Sequence, residues 1–459
     1  MPQSITFDGA AQTVTGSLHI LEFNGRQVLV DCGMYQGSKE LRARNWEKFP
    51  FDTTKLSAVV ITHAHMDHIG LLPKLCREGY AGPIYATQAT IDLARISLPD
   101  SGRLQEEDAY QHKKHKTRQE PILPLYTERD AYECMKQFHP VEYHAPHPLP
   151  GGANWIFYPA GHILGSAFAE IYFENGERIL MSGDLGRYGT PIIKDPTTIE
   201  NAEYLVIEST YGDRFHAQED PMARLSSVLQ SAWRGGRAVL VPSFAIGRTQ
   251  ELLYYISKLQ WENQVPRVPI YIDSPMATSV TSVYGRCSDE LDDEMLQAVS
   301  SHLDPFAPEG LRFVRDREAS KALNSTKGPL MIIAGSGMAN GGRIVHHLIH
   351  RLSDPNTIVL FSGYQGEGTL GRRIQEGAEK VRIFGQEIEN RAEVQTLGSL
   401  SAHADQGEIM RWLKGFKNPP KKTFIVHGEP PAQAALKERI ETDLGWQVEV
   451  PARGDHFAL

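Results

Sequence analysis

The segment Thr62-His63-Ala64-His65-Met66-Asp67-His68-Ile69-Gly70 places three histidines and one aspartate within six positions, directly after the apolar run Ala58-Val59-Val60-Ile61. Imidazole and carboxylate are ligands that suit zinc and similar divalent ions. In an extended segment, side chains two positions apart project to the same side, so His63 and His65 can grip one ion. Asp67 and His68 follow where a helix would begin, turned toward a position suited to a second ion. A lone histidine would read as an ordinary surface residue; a cluster this dense after a buried strand reads as a metal site. Four ligands in one segment cannot close two sites. Distant parts of the chain must therefore meet the cluster, which calls for an architecture whose strand ends converge on one edge.

Three further ligand candidates sit at strand or loop ends. His162 lies in Pro159-Ala160-Gly161-His162-Ile163-Leu164-Gly165-Ser166, where small residues let the backbone approach a metal. Asp184 lies in Ser182-Gly183-Asp184-Leu185-Gly186 and has two oxygens able to bridge two ions. His427 lies in Val426-His427-Gly428-Glu429, after the run Thr423-Phe424-Ile425. The same style recurs elsewhere: Val28-Leu29-Val30 runs into Asp31, and Tyr204-Leu205-Val206-Ile207 runs into Glu208. Each is an apolar run of buried-strand length ending in a polar residue.

From about residue 238 the texture becomes a regular alternation. Strands are expected at Ala238–Ser243, Val268–Asp273, Leu330–Ala334 and Thr357–Phe361, and helices at Thr249–Leu259, Pro275–Tyr284 and Arg343–Leu352. That rhythm predicts a mostly parallel sheet covered by helices. From about 395 the earlier style returns. The chain therefore reads as one domain interrupted by another: 1–208 and 395–459 form the first, 209–394 the insert. At 459 residues, two domains are the default expectation. Two strand-to-helix loops suit phosphate handling through backbone N–H groups and one arginine each. The first carries Ser243 and Arg248, the second Gly335, Ser336, Gly337 and Arg343.

Composition excludes several classes. No stretch approaches the 18 apolar residues of a membrane span, and the N-terminus has no signal-peptide pattern. The four cysteines are scattered and read as free thiols of a cytoplasmic protein. A net charge of -9 does not suggest nucleic-acid binding by bulk charge, so a polyanionic substrate needs a local basic cleft. The basic run Gln105–Gln119, with Lys113, Lys114, Lys116 and Arg118, reads as a solvated face. The aromatic residues show no interleaving with basic ones, and no base-stacking role is expected of them.

The ordered segments Asp31, HxHxDH, His162 and Asp184 resemble the motifs of the metallo-β-lactamase fold. Glu208-Ser209-Thr210-Tyr211-Gly212, Ser401-Ala402-His403-Ala404-Asp405 and Val426-His427-Gly428-Glu429 are similar, in order, to three motifs of the β-CASP nucleases. The resemblance covers essentially the whole chain. It implies an αββα sandwich with an inserted α/β domain. It further implies one zinc on His63, His65 and His162, another on Asp67, His68 and a later histidine, Asp184 between them, and a hydroxide shared by the two. Asp31 would orient the ligand loop. His427 at the third motif resembles RNA-cutting members, whereas DNA-cutting relatives usually carry an apolar residue there. The chain has no KH-like N-terminal segment and no C-terminal domain of the RNase J kind, so autonomous sequence-specific recognition is not expected of it.

The expected reaction is hydrolysis of RNA phosphodiesters by two zinc ions, with manganese as a substitute. Asp67, Glu208 and His403 are the expected catalytic residues, His403 protonating the leaving oxygen while Glu208 orients it. The rivals are a small-molecule hydrolase of the lactamase or thioesterase type, a DNA nuclease, and a non-catalytic RNA-binding scaffold. The partners expected are RNA and a second copy of the chain, with no membrane.

Overall fold

The computed structural model describes residues 3–114, 123–287, 290–301, 304–363, 365–366 and 368–459. Lys116 and Arg118 of the basic run lie outside them. The chain divides into two compact units, one made of Met1–Thr190, Lys194–Phe215 and His403–Leu459, the other of Pro191–Ile193 and His216–Ala402.

The first unit is built on two seven-stranded sheets. One holds Ser4–Phe7, His19–Phe23, Arg26–Val30 and Leu56–Val60 in consecutive neighbouring positions. The other runs from Val448–Glu449 through Lys422–Ile425, Tyr204–Ile207, Arg178–Met181, Ala167–Tyr172 and Asn154–Pro159 to His147–Pro148. The sheets meet through alternate inward side chains: Ile5, Phe7, Val28 and Val60 from the first pack with Trp155, Ile171, Val206 and Phe424 from the second. The second sheet buries its other face too, Phe168, Leu180, Leu205 and Ile425 packing with Trp412 and Leu436 from the helices Gln406–Leu413 and Pro430–Leu444. Strands covered on both faces read as continuous apolar runs, which is why TFI and YLVI lack a polar alternation.

Three strands of that sheet, Arg178–Met181, Tyr204–Ile207 and Lys422–Ile425, are mutually parallel. Their C-terminal ends therefore share one edge, and each hands over within three residues to a candidate site residue: Asp184, Glu208 and His427. Phe424 anchors this edge, its ring 5.1 Å from Phe7 and 5.0 Å from Phe457. Phe424→Ala is expected to cost about 3–5 kcal/mol through lost burial and an unfilled cavity. Urea unfolding followed by tryptophan fluorescence checks it.

The second unit carries a six-stranded sheet in the order Leu311–Phe313, Ile270–Ile272, Leu330–Ala334, Ala238–Pro242, Thr357–Phe361, Glu393–Thr396, with every pair parallel. Separate apolar clusters cover its two faces. The helices Arg248–Trp261, Pro275–Tyr284 and Arg343–Arg351 follow strands as the alternation predicts. Both edge strands escaped the sequence reading, because LRF and EVQT are short, part-exposed and poor in apolar residues. The edge strand Glu393–Thr396 carries this sheet past residue 394, where the sequence reading closed the insert. Among the described residues, no helix is long and apolar enough to cross a membrane.

Candidate metal centre

The strand Leu56–Val60 delivers His63 and His65 in extended backbone, and His65 becomes the N-cap of a short helix, Met66–Ile69, that carries Asp67 and His68. The turn is held from behind by the segment after Arg26–Val30: Cys32 N–H donates to the His68 carbonyl at 2.7 Å and Met34 N–H to that of Met66 at 2.9 Å. Only glycine fits between these donors, since a Cβ at Gly33 would stand 1.6 Å from the Asp67 carbonyl oxygen. His162 is fixed by Ser166, whose Oγ accepts from the N–H of His162 at 3.0 Å and of Ile163 at 3.2 Å.

These elements bring two sets of donor atoms together. In the first, His65 Nδ1 is 3.1 Å from both His63 Nε2 and His162 Nε2. Asp184 Oδ2 is 3.4 Å from each of those Nε2 atoms. In the second, His68 Nε2 is 3.3 Å from His427 Nε2, which is 3.5 Å from Asp67 Oδ2. Asp184 Oδ1 faces this set, 3.3 Å from His68 Nε2. The two oxygens of Asp184 thus turn to different sets.

The donor chemistry fits a cation. Lone pairs converging on one point in a buried site repel unless a positive charge lies between them. Asp184 Oδ1 is buried and has no hydrogen-bond partner. Ligand atoms about 2.0–2.1 Å from a tetrahedral ion stand about 3.3–3.4 Å apart, close to the separations here. Burial, together with neighbouring imidazoles, lowers the pKa of His63 and His162 and pushes His65 down to about 3, which keeps these rings neutral as ligands must be. Burial would raise Asp67 and Asp184, but the surrounding histidines override it and hold both carboxyls below their usual range. The cluster is a metal-binding site.

Outer residues set the ring orientations. Asp31 Oδ2 lies 2.7 Å from His68 Nδ1, which leaves Nε2 as the ligand atom, and its carboxylate also accepts from the N–H and hydroxyl of Thr62, each at 2.8 Å. Thr62 Oγ1 is 3.2 Å from His63 Nδ1, and Thr210 Oγ1 is 3.1 Å from His427 Nδ1. The two threonines were missed in the sequence, where threonine is common at strand ends. Asp31 and His427 both adopt left-handed backbone, at φ 61° and 49°, a conformation costly for side-chain-bearing residues and concentrated at functional sites.

Beside the donors lies Glu208, fully buried, with His403 Nδ1 3.0 and 3.1 Å from its two oxygens. Leu185 N–H donates to Glu208 Oε1 at 2.7 Å, and Ala404 N–H donates to the Leu185 carbonyl at 2.8 Å, pinning the pair. His403 Nδ1 is 3.8 Å from Asp184 Oδ2 and belongs to neither donor set. Burial works to lower the His403 pKa; Glu208, Asp184 and Asp67 override it and push it up to about 9.

The expected phosphate loops lie in the second unit. Neither helix start, at Gly247 nor at Gly342, is capped by a side chain. Ser243 Oγ is 3.0 Å from Thr249 Oγ1, and Ser336 Oγ accepts from Asn340 N–H. The arginines depart from expectation. Arg343 donates to Asp273 at 2.6 Å and to the carbonyls of Val314 and Arg315, and Arg248 pairs with Glu251 at 2.5 Å. Both guanidiniums are engaged within the unit. His347 is buried, with Nε2 2.7 Å from Asp273 Oδ2.

Two face-to-face sheets with histidine and aspartate ligands at strand ends define the metallo-β-lactamase fold, and residues 20–185 match the model of the metallo-beta-lactamase superfamily domain. Residues 249–374 match the Beta-Casp domain, and residues 387–451 the Zn-dependent metallo-hydrolase RNA specificity domain. The chain is 42% identical over 93% of its length, and 94% of the other's, to a protein of Thermus thermophilus named Ribonuclease TTHA0252. It is 30% identical to two proteins of Methanocaldococcus jannaschii: an RNase J-like protein, covering 98% of each chain, and Transcription termination factor FttA, covering 93% of this chain and 67% of that one. The chain belongs to the β-CASP family of metallo-β-lactamase-fold proteins. A crystal structure of a protein of unknown function from Enterococcus faecalis V583 shares the fold, with a TM-score of 0.56 at 13% identity and full coverage of both chains.

Proposed function

We propose that the protein is a zinc-dependent ribonuclease that cleaves RNA internally, in RNA processing or decay. The observation that carries this reading is Asp184 facing two donor sets with the Glu208–His403 pair alongside. The relatives named for ribonuclease activity and the matched RNA specificity domain support RNA as the substrate. His63, His65 and His162 would hold one zinc, Asp67, His68 and His427 the other, and Asp184 would touch both; manganese could replace zinc in such a set. Two divalent ions so placed would supply Lewis-acid activation of water and neutralise charge on a phosphate.

The chain's own groups do the rest. Asp31 fixes the His68 tautomer through Nδ1. Asp67 positions the attacking water beside His427. Glu208 engages Nδ1 of His403, so the proton delivered to the leaving oxygen sits on Nε2. Ser243, Arg248, Gly335, Ser336, Gly337 and Arg343 are proposed as phosphate-binding residues. The N–H groups of Ser243 and Ser336 donate to the Ala334 and Gly341 carbonyls and both arginines are paired, so these groups would act only by exchanging their present partners. The insert, read from the sequence as 209–394, is proposed to run on to Ala402, which keeps the edge strand Glu393–Thr396 whole, and the compartment is proposed as the cytoplasm, in keeping with the free thiols. Nothing in the described residues or the relatives supports the second copy expected from the sequence.

Incubating the zinc-loaded chain with end-labelled RNA and DNA of the same sequence tests the proposal. Internal RNA fragments with the DNA left intact are expected. Equal cutting of both, or turnover of a chromogenic lactam without RNA cleavage, would refute it.

A further inference from the structure

Behind the second donor set lies a cavity of about 10 Å³, room for about one water molecule. Its polar walls come from Ser17, His19, Asp31, His68, Ser182 and His427. His19 is the one imidazole among these that no part of the site described so far uses. It opens the strand His19–Phe23 and pairs in register with Val30, the residue before Asp31. The ring is 4% exposed, edge-on to Phe7 at 5.3 Å, and its Nδ1 has no hydrogen-bond partner in the protein. An imidazole in an apolar inter-sheet layer with a nitrogen unmatched is costlier than a phenyl or isobutyl group would be. What distinguishes its surroundings is the cavity it shares with two ligands and the carboxylate that orients one of them.

We infer that His19 is a positioning residue for the cation held by Asp67, His68 and His427, acting through a water enclosed between its ring and Asp31. The inference rests on the two-cation reading above. An enclosed water needs two to four polar partners, and these walls provide them. Hydrogen-bonded to Asp31, it restrains the carboxylate whose Oδ2 meets His68 Nδ1 at 2.7 Å. Residues that support a ligand in this way typically alter metal affinity by about 10–100-fold when replaced. His19 does not touch the reacting atoms.

The full-length chain with His19→Phe and with His19→Gln tests this. The measurements are stepwise zinc transfer to a chromophoric chelator, the visible spectrum after cobalt substitution, and the melting temperature. His19→Phe fills the cavity and is expected to weaken one of two cations about 10–100-fold and to shift the cobalt bands, with the melting temperature kept. Anomalous scattering from crystals at limiting zinc should show the loss between His68 and His427 alone. His19→Gln, which keeps a polar group, should recover most of the affinity. The inference is overturned if His19→Phe keeps both affinities and the cobalt spectrum, if glutamine fails to rescue, or if both variants lose both cations together with melting temperature. A wild-type chain that takes up fewer than two cations would instead fail the two-cation reading itself.

Discussion

Asp184→Asn is expected to release metal and to lower RNA cleavage by about 10³-fold or more. The estimate follows from two cations contributing several kcal/mol to the transition state, with about 1.4 kcal/mol equal to a factor of ten. Asp184 faces both donor sets: Oδ2 is 3.4 Å from His63 and His162, and Oδ1 is 3.3 Å from His68. An amide keeps the shape but puts a donor where one set needs a lone pair, and it removes a buried negative charge. Metal analysis after dialysis and single-turnover cleavage check the two effects together. A variant that keeps its metal and most of its rate would show that Asp184 is a bystander.

His403→Ala is expected to leave metal content unchanged while cleavage falls by about 10²–10⁴-fold, the usual contribution of a positioned general acid. The separation of effects follows from placement: His403 Nδ1 goes to Glu208 at 3.0 Å and the ring lies outside both donor sets. Glu208→Gln should act in the same direction, because an amide can present its NH₂ group to His403 in place of an acceptor. An RNA carrying a leaving group that needs no protonation should be cut by His403→Ala at close to the wild-type rate. If it is not, His403 serves the site in another way.

The parts of this site that were legible in the sequence are those fixed by local geometry. HxHxDH encodes its own arrangement, because an extended pair followed by a helix start points His63 and His65 one way and Asp67 and His68 another. His162, Asp184 and His427 were legible as polar residues at the ends of apolar runs. Their convergence was inferred from motif order, since 359 positions separate His68 from His427. The two strand-to-helix loops illustrate the opposite case. Nothing local to Arg343 reveals that Asp273, 70 residues earlier, claims its guanidinium. Thr62, Thr210 and His19 carry no pattern either: a hydroxyl or a single imidazole beside a strand gains its meaning from what the fold packs against it. The edge strands Leu311–Phe313 and Glu393–Thr396 were invisible for a related reason, as a strand that buries little surface needs few apolar residues.

Element-specific anomalous scattering from crystals of the zinc-loaded chain bears most directly on the two-cation site. The expected result is two zinc ions about 3.5–4 Å apart, with His63, His65 and His162 on one, Asp67, His68 and His427 on the other, and the oxygens of Asp184 divided between them. A single ion with every ligand in place, or a second ion bound without His427, would contradict it.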